Sequence, residues 1–552
     1  MSETPAASTE RIVAALTEQR AGVIQPLDEA GDPAGPREPV DDLAEAIKHR
    51  EGTHPRWVWA DTSRLYPSLL RQDIRVDRVH DISLAEAALL GYQGRWGEPA
   101  NVQAAWARAH GEPPPPDEPP ADDTKQPALF EDTKPATVDP IDAIVAAHKA
   151  HRQATADNHD AYEPSPVTRR ELDLLIAADS AGALAAAEMS LIGLPWRADV
   201  HDEILTEALG PRTHGRPAKL QQLADEIATK LHTDKLNPDS AAELIRAFQR
   251  AGLSLESTRA WELKRLDHPA VEPLLRYKSL ARLHTANGWA WREQWVSNGR
   301  FRPEYVAAAV VSGRWATRGG GALQIPKGVR AAVRAEPGHQ LVVADARQLE
   351  PRILAALSHD RGMTEAAAHG DLYQALAEQS FNGDRGQAKV GLLSAMYGGA
   401  TPALGTLRRS YPQALELLEK AATTGESGGM VRSVLGRTCP AAKPGWDGGP
   451  EQTARSRARD RGRFTRNFVI QASAADWAAV LIALLRTSLP ENAELVFFQH
   501  DEVIVHCPTE QAAASAAAIE AAAAQATELV LGATPVQVLL ATATVQSYAD
   551  AK

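Results

Sequence analysis

Cysteine is almost absent from this 552-residue chain, which has only Cys439 and Cys507. That excludes a disulfide framework and a zinc site built from several cysteines, and it suits a reduced compartment. No run of eighteen apolar residues occurs, so no membrane span is expected. The opening MSETPAASTERIVAALTEQR lacks a basic flank ahead of an apolar segment and a cleavage site, so no signal peptide is expected and the expected location is the cytoplasm. Nor is there an overall excess of positive charge: the net charge is −12. Divided along the chain, that number changes meaning. Residues 1–166 hold 16 Lys and Arg against 29 Asp and Glu, or −13, and the remaining 43 and 42 leave +1. The acid is concentrated early, and the later part is free to carry a basic cleft.

The length allows two to four domains. Residues 1–50 are Ala-rich and acidic, and TERIVAALTEQR reads as a helix. A strand is expected over 56–60 (RWVWA), followed by helical segments to about residue 110. From 111 to 140 proline and acid dominate (GEPPPPDEPPADDTKQPALFEDTKPATVDP). Such a stretch buries too little apolar surface to offset its ordering entropy, and a flexible linker is expected. Globular sequence resumes near 168 with a long Ala/Leu helix, and no internal repeat is evident.

Four stretches carry chemistry. In VFFQHDEVIVHC, residues 496–507, two β-prone apolar runs flank His500-Asp501-Glu502. Adjacent carboxylates at the tip of a buried hairpin are costly unless something compensates them. In QLVVADARQLEPR a buried strand ends at Asp345, and a helix follows with Gln348, Glu350 and Arg352. An Asp there could equally cap that helix. In DRGQAKVGLLSAMYGG, residues Arg385, Lys389, Leu393 and Tyr397 recur every fourth position and share one helical face. Two cations on that face suit a triphosphate, although a solvated helix would look similar. In ARSRARDRGRFTRNFVIQASAAD an arginine-rich run leads into a helix bearing Arg463, Asn467 and Gln471, residue types that contact phosphates and base edges.

Taken together and in this order, the four stretches resemble the family A DNA polymerases of the DNA polymerase I (Klenow-like) kind, and within them the actinobacterial bifunctional 3′–5′ exonuclease/DNA polymerase type. The resemblance runs over about residues 170–552. Asp345, Gln348, Glu350 and Arg352 match the first catalytic motif; Arg385, Lys389, Tyr397 and Gly398 match the fingers helix; Arg463, Asn467 and Gln471 match a palm helix; and His500-Asp501-Glu502 match the last catalytic motif. SGRWATRGGGALQIP resembles a segment that places Arg314 at the minor groove, and YKSLARLHTANG resembles a thumb with Lys278 and Arg282 near the DNA backbone.

The resemblance implies a helix-rich α/β multidomain fold: a right-hand polymerase with thumb at about 200–300, palm at about 301–357 and 464–552, and fingers at about 358–463. It implies a monomer acting on primer–template DNA and dNTPs with two Mg²⁺ ions, in repair or replication. Asp345 and Asp501 would hold the metals, with Glu502 secondary because neighbours on a strand face opposite ways. Lys389 and Arg385 would grip the triphosphate, Leu393 and Tyr397 would pack on sugar and base, and Gln348 would border the nucleotide. Glu350 would exclude a 2′-hydroxyl and so favour deoxynucleotides. Arg314, Gln471, Asn467, Arg463, Arg352 and His500 would contact DNA. Ala346-Arg347, Leu393 and Tyr373 depart from the family's usual residues, and the short span from Asp345 to Arg385 implies trimmed fingers.

For residues 1–110 and 141–167 the resemblance implies a reduced 3′–5′ exonuclease-like domain. Residues 1–165 contain no Asp-x-Glu, the start of such a site's carboxylate set. An early sheet is expected to be missing, leaving Asp61 and Asp81 as remnants and the exonuclease inactive. QPALF, with Gln126, Leu129 and Phe130, resembles a peptide that docks on a sliding clamp. Two alternatives stand beside this reading: a polymerase whose exonuclease still works, and a catalytically silent primer–template binder tethered to the clamp.

Overall fold

The computed structural model describes residues 10–18, 20–117, 138–156, 167–319, 325–368, 370–399, 401–448 and 450–551. Its N-terminal domain is built on a five-stranded sheet. The strands are β1 (Arg11–Leu16), β2 (Gly22–Leu27), β3 (Glu38–Val40), β4 (Arg56–Trp59) and β5 (Arg78–Asp81), in the spatial order β3-β2-β1-β4-β5. β1 runs antiparallel to β2 and parallel to β4, and β4 runs parallel to β5. The early sheet expected to be missing is therefore present, and RIVAAL is a strand rather than a helix.

The reason is burial on both faces. Ile12 and Ala14 pack with Trp57, Trp59 and Tyr66 on one side, while Val13 and Ala15 pack with Val58, Ile141 and Ile144 on the other. A strand covered twice reads as a continuous apolar run with no alternation, and its alanines imitate a helix. The covering helices are α1 (Leu43–Glu51), α2 (Thr62–Leu70), α3 (Ile82–Tyr92), α4 (Val102–Ala109) and α5 (Pro140–Ala156).

Helix α6 (Arg169–Ile192) joins this domain to the rest. Thr168 and Glu171 close a capping box at its start. Leu184 belongs to the N-terminal core, whereas Leu175, Ala185 and Met189 belong to the main core. The region expected to form the thumb has a core of its own, including Leu205, Ile227, Phe248, Leu274 and Tyr277. Its helices are α7 (Ala198–Leu209), α8 (Ala218–Lys230), α9 (Ala241–Arg250), α10 (Ala260–Leu263), α11 (Val271–Asn287) and α12 (Trp289–Trp295). Small sheets of β6 (Leu194–Pro195), β7 (Val296–Ser297) and β8 (Arg300–Phe301), then β9 (Glu304–Val306) and β10 (Ala316–Arg318), lead onward.

The palm sheet contains β11 (His339–Ala346), β12 (Glu494–Gln499), β13 (Glu502–Pro508) and β14 (Leu540–Val545), ordered β12-β13-β11-β14 and antiparallel throughout. Helix α13 (Leu349–Ser358) follows β11. The region expected to form the fingers holds α14 (Arg361–Ala367), α15 (Leu372–Ser380), α16 (Arg385–Tyr397), α17 (Ala403–Ser410) and α18 (Pro412–Glu426). Helix α19 (Glu451–Ser488) crosses from fingers to palm unbroken, so the boundary expected at 463/464 falls inside one helix; α20 (Ala512–Leu531) covers the sheet. Helices α6 and α19 are long and apolar enough to cross a bilayer, but 61% and 78% of their apolar stretches are buried within the protein.

Candidate active site

β11 is the second strand from one edge, so its last residues are held from both sides. Asp345 pairs with Glu502 of β13 and with Ala541 of β14. The β12–β13 hairpin turns through two residues, with His500 in the left-handed region (φ 56°). The Asp501 amide donates to the Gln499 carbonyl at 2.7 Å, and the Ala346 amide donates to the Asp501 carbonyl at 2.8 Å. That second bond ties the turn to the end of β11, so Asp345 and Asp501 meet at one corner of the sheet. Both are half-buried.

Glu502 requires a revision. Asp501 lies in the turn, outside the strand, so alternation does not set Glu502 apart from the pair. Directly opposed residues share a face, which places Glu502 beside Asp345. It is buried at 5% exposure and accepts a 3.0 Å hydrogen bond from the Tyr548 hydroxyl. Burial first, then Glu502, holds that hydroxyl's pKa above its ordinary value, so Tyr548 acts as a donor. The three palm carboxylates do not draw their oxygens within 4.8 Å of one another. Among the described residues that happens only at Glu51, His54 and Asp77, where Glu51 already accepts from Trp57 Nε1 at 2.6 Å and from the Asp77 amide at 2.7 Å.

Above the sheet corner, Glu350 sits on the first turn of α13 and links two elements. Arg314 donates to its Oε1 and the Tyr397 hydroxyl to its Oε2, each at 2.5 Å. The expected sugar-side, groove-side and base-side residues thus form one bonded set. Burial, then the charge of Arg314, holds the His500 pKa below its ordinary value, so this imidazole is neutral at pH 7. Gly313 allows the approach of the chain at Arg314: it has φ 80°, and a Cβ there would lie 2.3 Å from Arg437 Nε. Arg437 is itself buried between Asp179 (2.9 Å) and Asp476 (3.1 Å).

On α16, Arg385, Lys389, Leu393 and Tyr397 do share a face. Arg385 pairs with Asp371 at 2.8 Å, and Arg385 and Lys389 lie 5.6 and 6.0 Å from the centre of the Tyr373 ring. Burial, then Glu350, pushes the Tyr373 hydroxyl up to about 12, so it remains a donor. Gln348, in a left-handed conformation (φ 57°), spans to the same place: its amide donates to Asp371 Oδ1 at 2.7 Å and accepts from the Leu372 amide at 2.9 Å.

Asp371 was missed in the sequence, where its only signal is an acid at the N-cap of α15, a very common pattern. On α19, Arg463, Asn467 and Gln471 follow one stripe. Arg463 packs on Gly398 at the end of α16, and the Asn467 Oδ1 is buried without a hydrogen-bond partner. In the thumb, Lys278 donates to Thr258 Oγ1 at 2.9 Å and Arg282 is exposed one turn on.

Arg352, expected to contact DNA, is turned inward instead. It is fully buried, and it donates to the carbonyls of Ala367 (2.7 Å), Gln537 (2.6 Å), Arg347 (3.2 Å) and Gly370. Its five N–H groups gather backbone that α13 and its neighbours leave unsatisfied, a structural task a guanidinium performs well. Gln126, Leu129 and Phe130 lie outside the described residues.

A family model described as DNA polymerase family A matches residues 206–548. The chain belongs to that family. The thermostable DNA polymerase I of Thermus thermophilus is 26% identical over 369 residues, covering 58% of this chain and 42% of that protein. DNA polymerase I of Aquifex aeolicus is 24% identical over 350 residues, covering 58% and 59%. The chain thus matches roughly half of these relatives' length. Among solved structures, the polymerase domain of Pol1 from M. smegmatis, in complex with DNA primer–template and dNTP, superposes with a TM-score of 0.71 at 17% identity, covering 99% of this chain and 96% of that one. The likeness in fold thus reaches beyond the family match at 206–548 and takes in the described N-terminal domain.

Proposed function

We propose that this chain is a template-directed DNA polymerase that adds deoxynucleotides to a primer 3′ end. The observation that carries the reading is the bonded corner of the palm: the Ala346–Asp501 hydrogen bond together with the Asp345–Glu502 register. The donor set fits Mg²⁺, which takes one or two carboxylates and leaves the rest of its shell to water and substrate phosphates. Asp345 and Asp501 would hold two such ions, with Glu502 beside Asp345 and bonded to Tyr548. Bound there, they supply electrostatic support to the attacking and leaving oxygens of phosphoryl transfer.

The chain's own residues do the remaining work. Lys389 and Arg385 bind the β- and γ-phosphates and offset charge developing on the leaving group. Asp371 and Gln348 hold Arg385 ready, and the Tyr373 hydroxyl adds a donor where the family usually has a histidine. Glu350, fixed by Arg314 and Tyr397, occupies the space a 2′-hydroxyl needs. Leu393 and Tyr397 pack on sugar and base. Arg314, Gln471, Asn467 and Arg463 face the primer–template, neutral His500 touches the primer terminus, and Lys278 and Arg282 follow the backbone from the thumb.

The same reading makes the protein a monomeric, cytoplasmic enzyme of repair or replication, tethered to a sliding clamp through Gln126, Leu129 and Phe130, with a silent exonuclease. In the N-terminal sheet, Asp61 and Asp81 each cap a helix, accepting from the amides of Ser63 at 2.8 Å and Leu84 at 3.0 Å, which supports silence. Extension of a 5′-labelled primer by the wild type but not by Asp345→Ala would support the polymerase; extension by the variant would sink it. Glu350→Ala is expected to gain ribonucleotide incorporation, and no gain would remove Glu350 from that role. Clamp stimulation unchanged by Leu129→Ala/Phe130→Ala would rule out the tether.

A further inference from the structure

The N-terminal domain holds a cavity of its own, remote in sequence from every palm and fingers residue above. Its volume is 220 Å³, and it lies between the start of the sheet and helices α5 and α6. Arg11, Arg56, Arg152, His80, His148 and His151 line it. Two of these arginines stand side by side by register: Arg11 pairs with Arg56 across β1 and β4, and Arg56 pairs in turn with Arg78 across β4 and β5. Like charges opposed on neighbouring strands repel, and the carboxylates acting on Arg11 are Glu29 and Asp173. Asp173 is the single carboxylate among the described lining residues, and it is already shared by Arg152 (3.5 Å) and Arg169 (3.4 Å).

The histidines leave donor capacity in place. His151 lies 3.2 Å from His80 and 2.8 Å from Glu86, whose other oxygen takes Arg108 at 2.6 Å. His148 is 1% exposed and its Nδ1 is buried without a hydrogen-bond partner, as is the Nε of Arg152. Burial, then Arg78, Arg11 and Arg152, holds Arg56 at about 10, and burial, then His151 and Arg11, holds His148 at about 3. Both shifts report positive charge crowded into low dielectric. A cation would worsen that crowding, and an oxyanion would relieve it.

We propose that this cavity is a binding site for a phosphate-class oxyanion, gripped by Arg56 and Arg152 with the imidazoles as further donors. The volume is below that of ordinary drug-sized pockets, so it suits a free anion or one terminal phosphate rather than a whole nucleotide or a polymer segment.

The test is calorimetric titration of the full chain with inorganic phosphate in EDTA, which keeps metal out of the palm. One saturable site is expected, weakened tenfold or more by Arg152→Gln and by His148→Gln and unchanged by Lys389→Ala. Arg152 is partly exposed, so its replacement does not put folding at risk. Titrations with dAMP and with short 5′-phosphorylated and unphosphorylated oligonucleotides identify the source: equal affinity for phosphate and oligonucleotide means a free anion, and a preference for the phosphorylated strand means a DNA end. Absence of saturable binding would overturn the site. So would binding that Lys389→Ala abolishes and Arg152→Gln leaves intact, because the phosphate would then sit in the fingers.

Discussion

The palm sheet and the N-terminal sheet both end strands in aspartates, yet only in the palm is such an aspartate in register with another acid. In the palm, Asp345 and Glu502 share a register position and the Asp501 carbonyl is tied to the amide after Asp345, so the carboxylates collect at one corner. In the N-terminal sheet, Asp61 follows β4 and Asp81 ends β5, and each turns onto the amides of the helix it starts. Asp81 also accepts from the Thr62 amide at 2.7 Å. There the residues brought into register are arginines. The difference teaches that an acid at a strand's end stays open beside other acids or caps a helix according to where the neighbouring amides point, which residue type alone does not reveal.

The largest expected effect separates the two regions by activity. Asp345→Ala or Asp501→Ala should lower single-turnover extension by at least ~10³-fold, about 4 kcal/mol of transition-state stabilisation. Asp61→Ala should leave it unchanged. Loss of extension in Asp61→Ala would merge two regions that are here held apart.

A second prediction concerns the seam between them. Arg486 of α19 is 6% exposed and bonds Glu188 of α6 at 2.7 Å, the Tyr66 hydroxyl at 3.1 Å and the Asp77 carbonyl at 2.7 Å. Arg486→Ala strands a buried carboxylate, at a cost of about 3–5 kcal/mol. Urea unfolding should show it, and replacing Arg486 and Glu188 together by Met should recover most of it. A loss below 1 kcal/mol would mean the domains do not depend on this contact.

The third prediction is a pH dependence that belongs to the cap alone. Burial, then Asp61, raises Asp81 to about 6. A carboxyl raised in the folded state favours folding at low pH: its contribution is complete below the unfolded pKa near 4 and is lost as pH climbs through about 6. The loss is roughly 3 kcal/mol. Asp81→Asn should therefore gain stability relative to wild type between pH 4.5 and pH 7, read by hydrogen exchange of β4 and β5. A difference that does not move with pH would contradict this. Smallest of all, losing the Asp61 cap should cost about 1 kcal/mol of domain stability.

How much of this was legible in the sequence depends on what each residue answers to. The placement of Asp345 and Asp501 at two strand ends, and of Arg385 and Lys389 on one helical face, was legible because strand and helix periods fix it. β1 was not: Ile12 to Ala15 are buried on two faces, so neither alternation nor propensity marks a strand, and without β1 the sheet looked truncated. Arg352 belongs to the polymerase motif, yet the fold spends it on backbone carbonyls. Asp371 was invisible because its partners, Arg385 and Gln348, lie 14 and 23 residues away and meet only through tertiary structure.

One measurement bears most directly on the contrast. A 5′-labelled primer annealed to a longer template is incubated with Mg²⁺, with and without dNTPs, beside Asp345→Ala. The account predicts extension by the wild type alone and no shortening by either protein. Shortening that persists in Asp345→Ala would place working carboxylates in the N-terminal domain and contradict it.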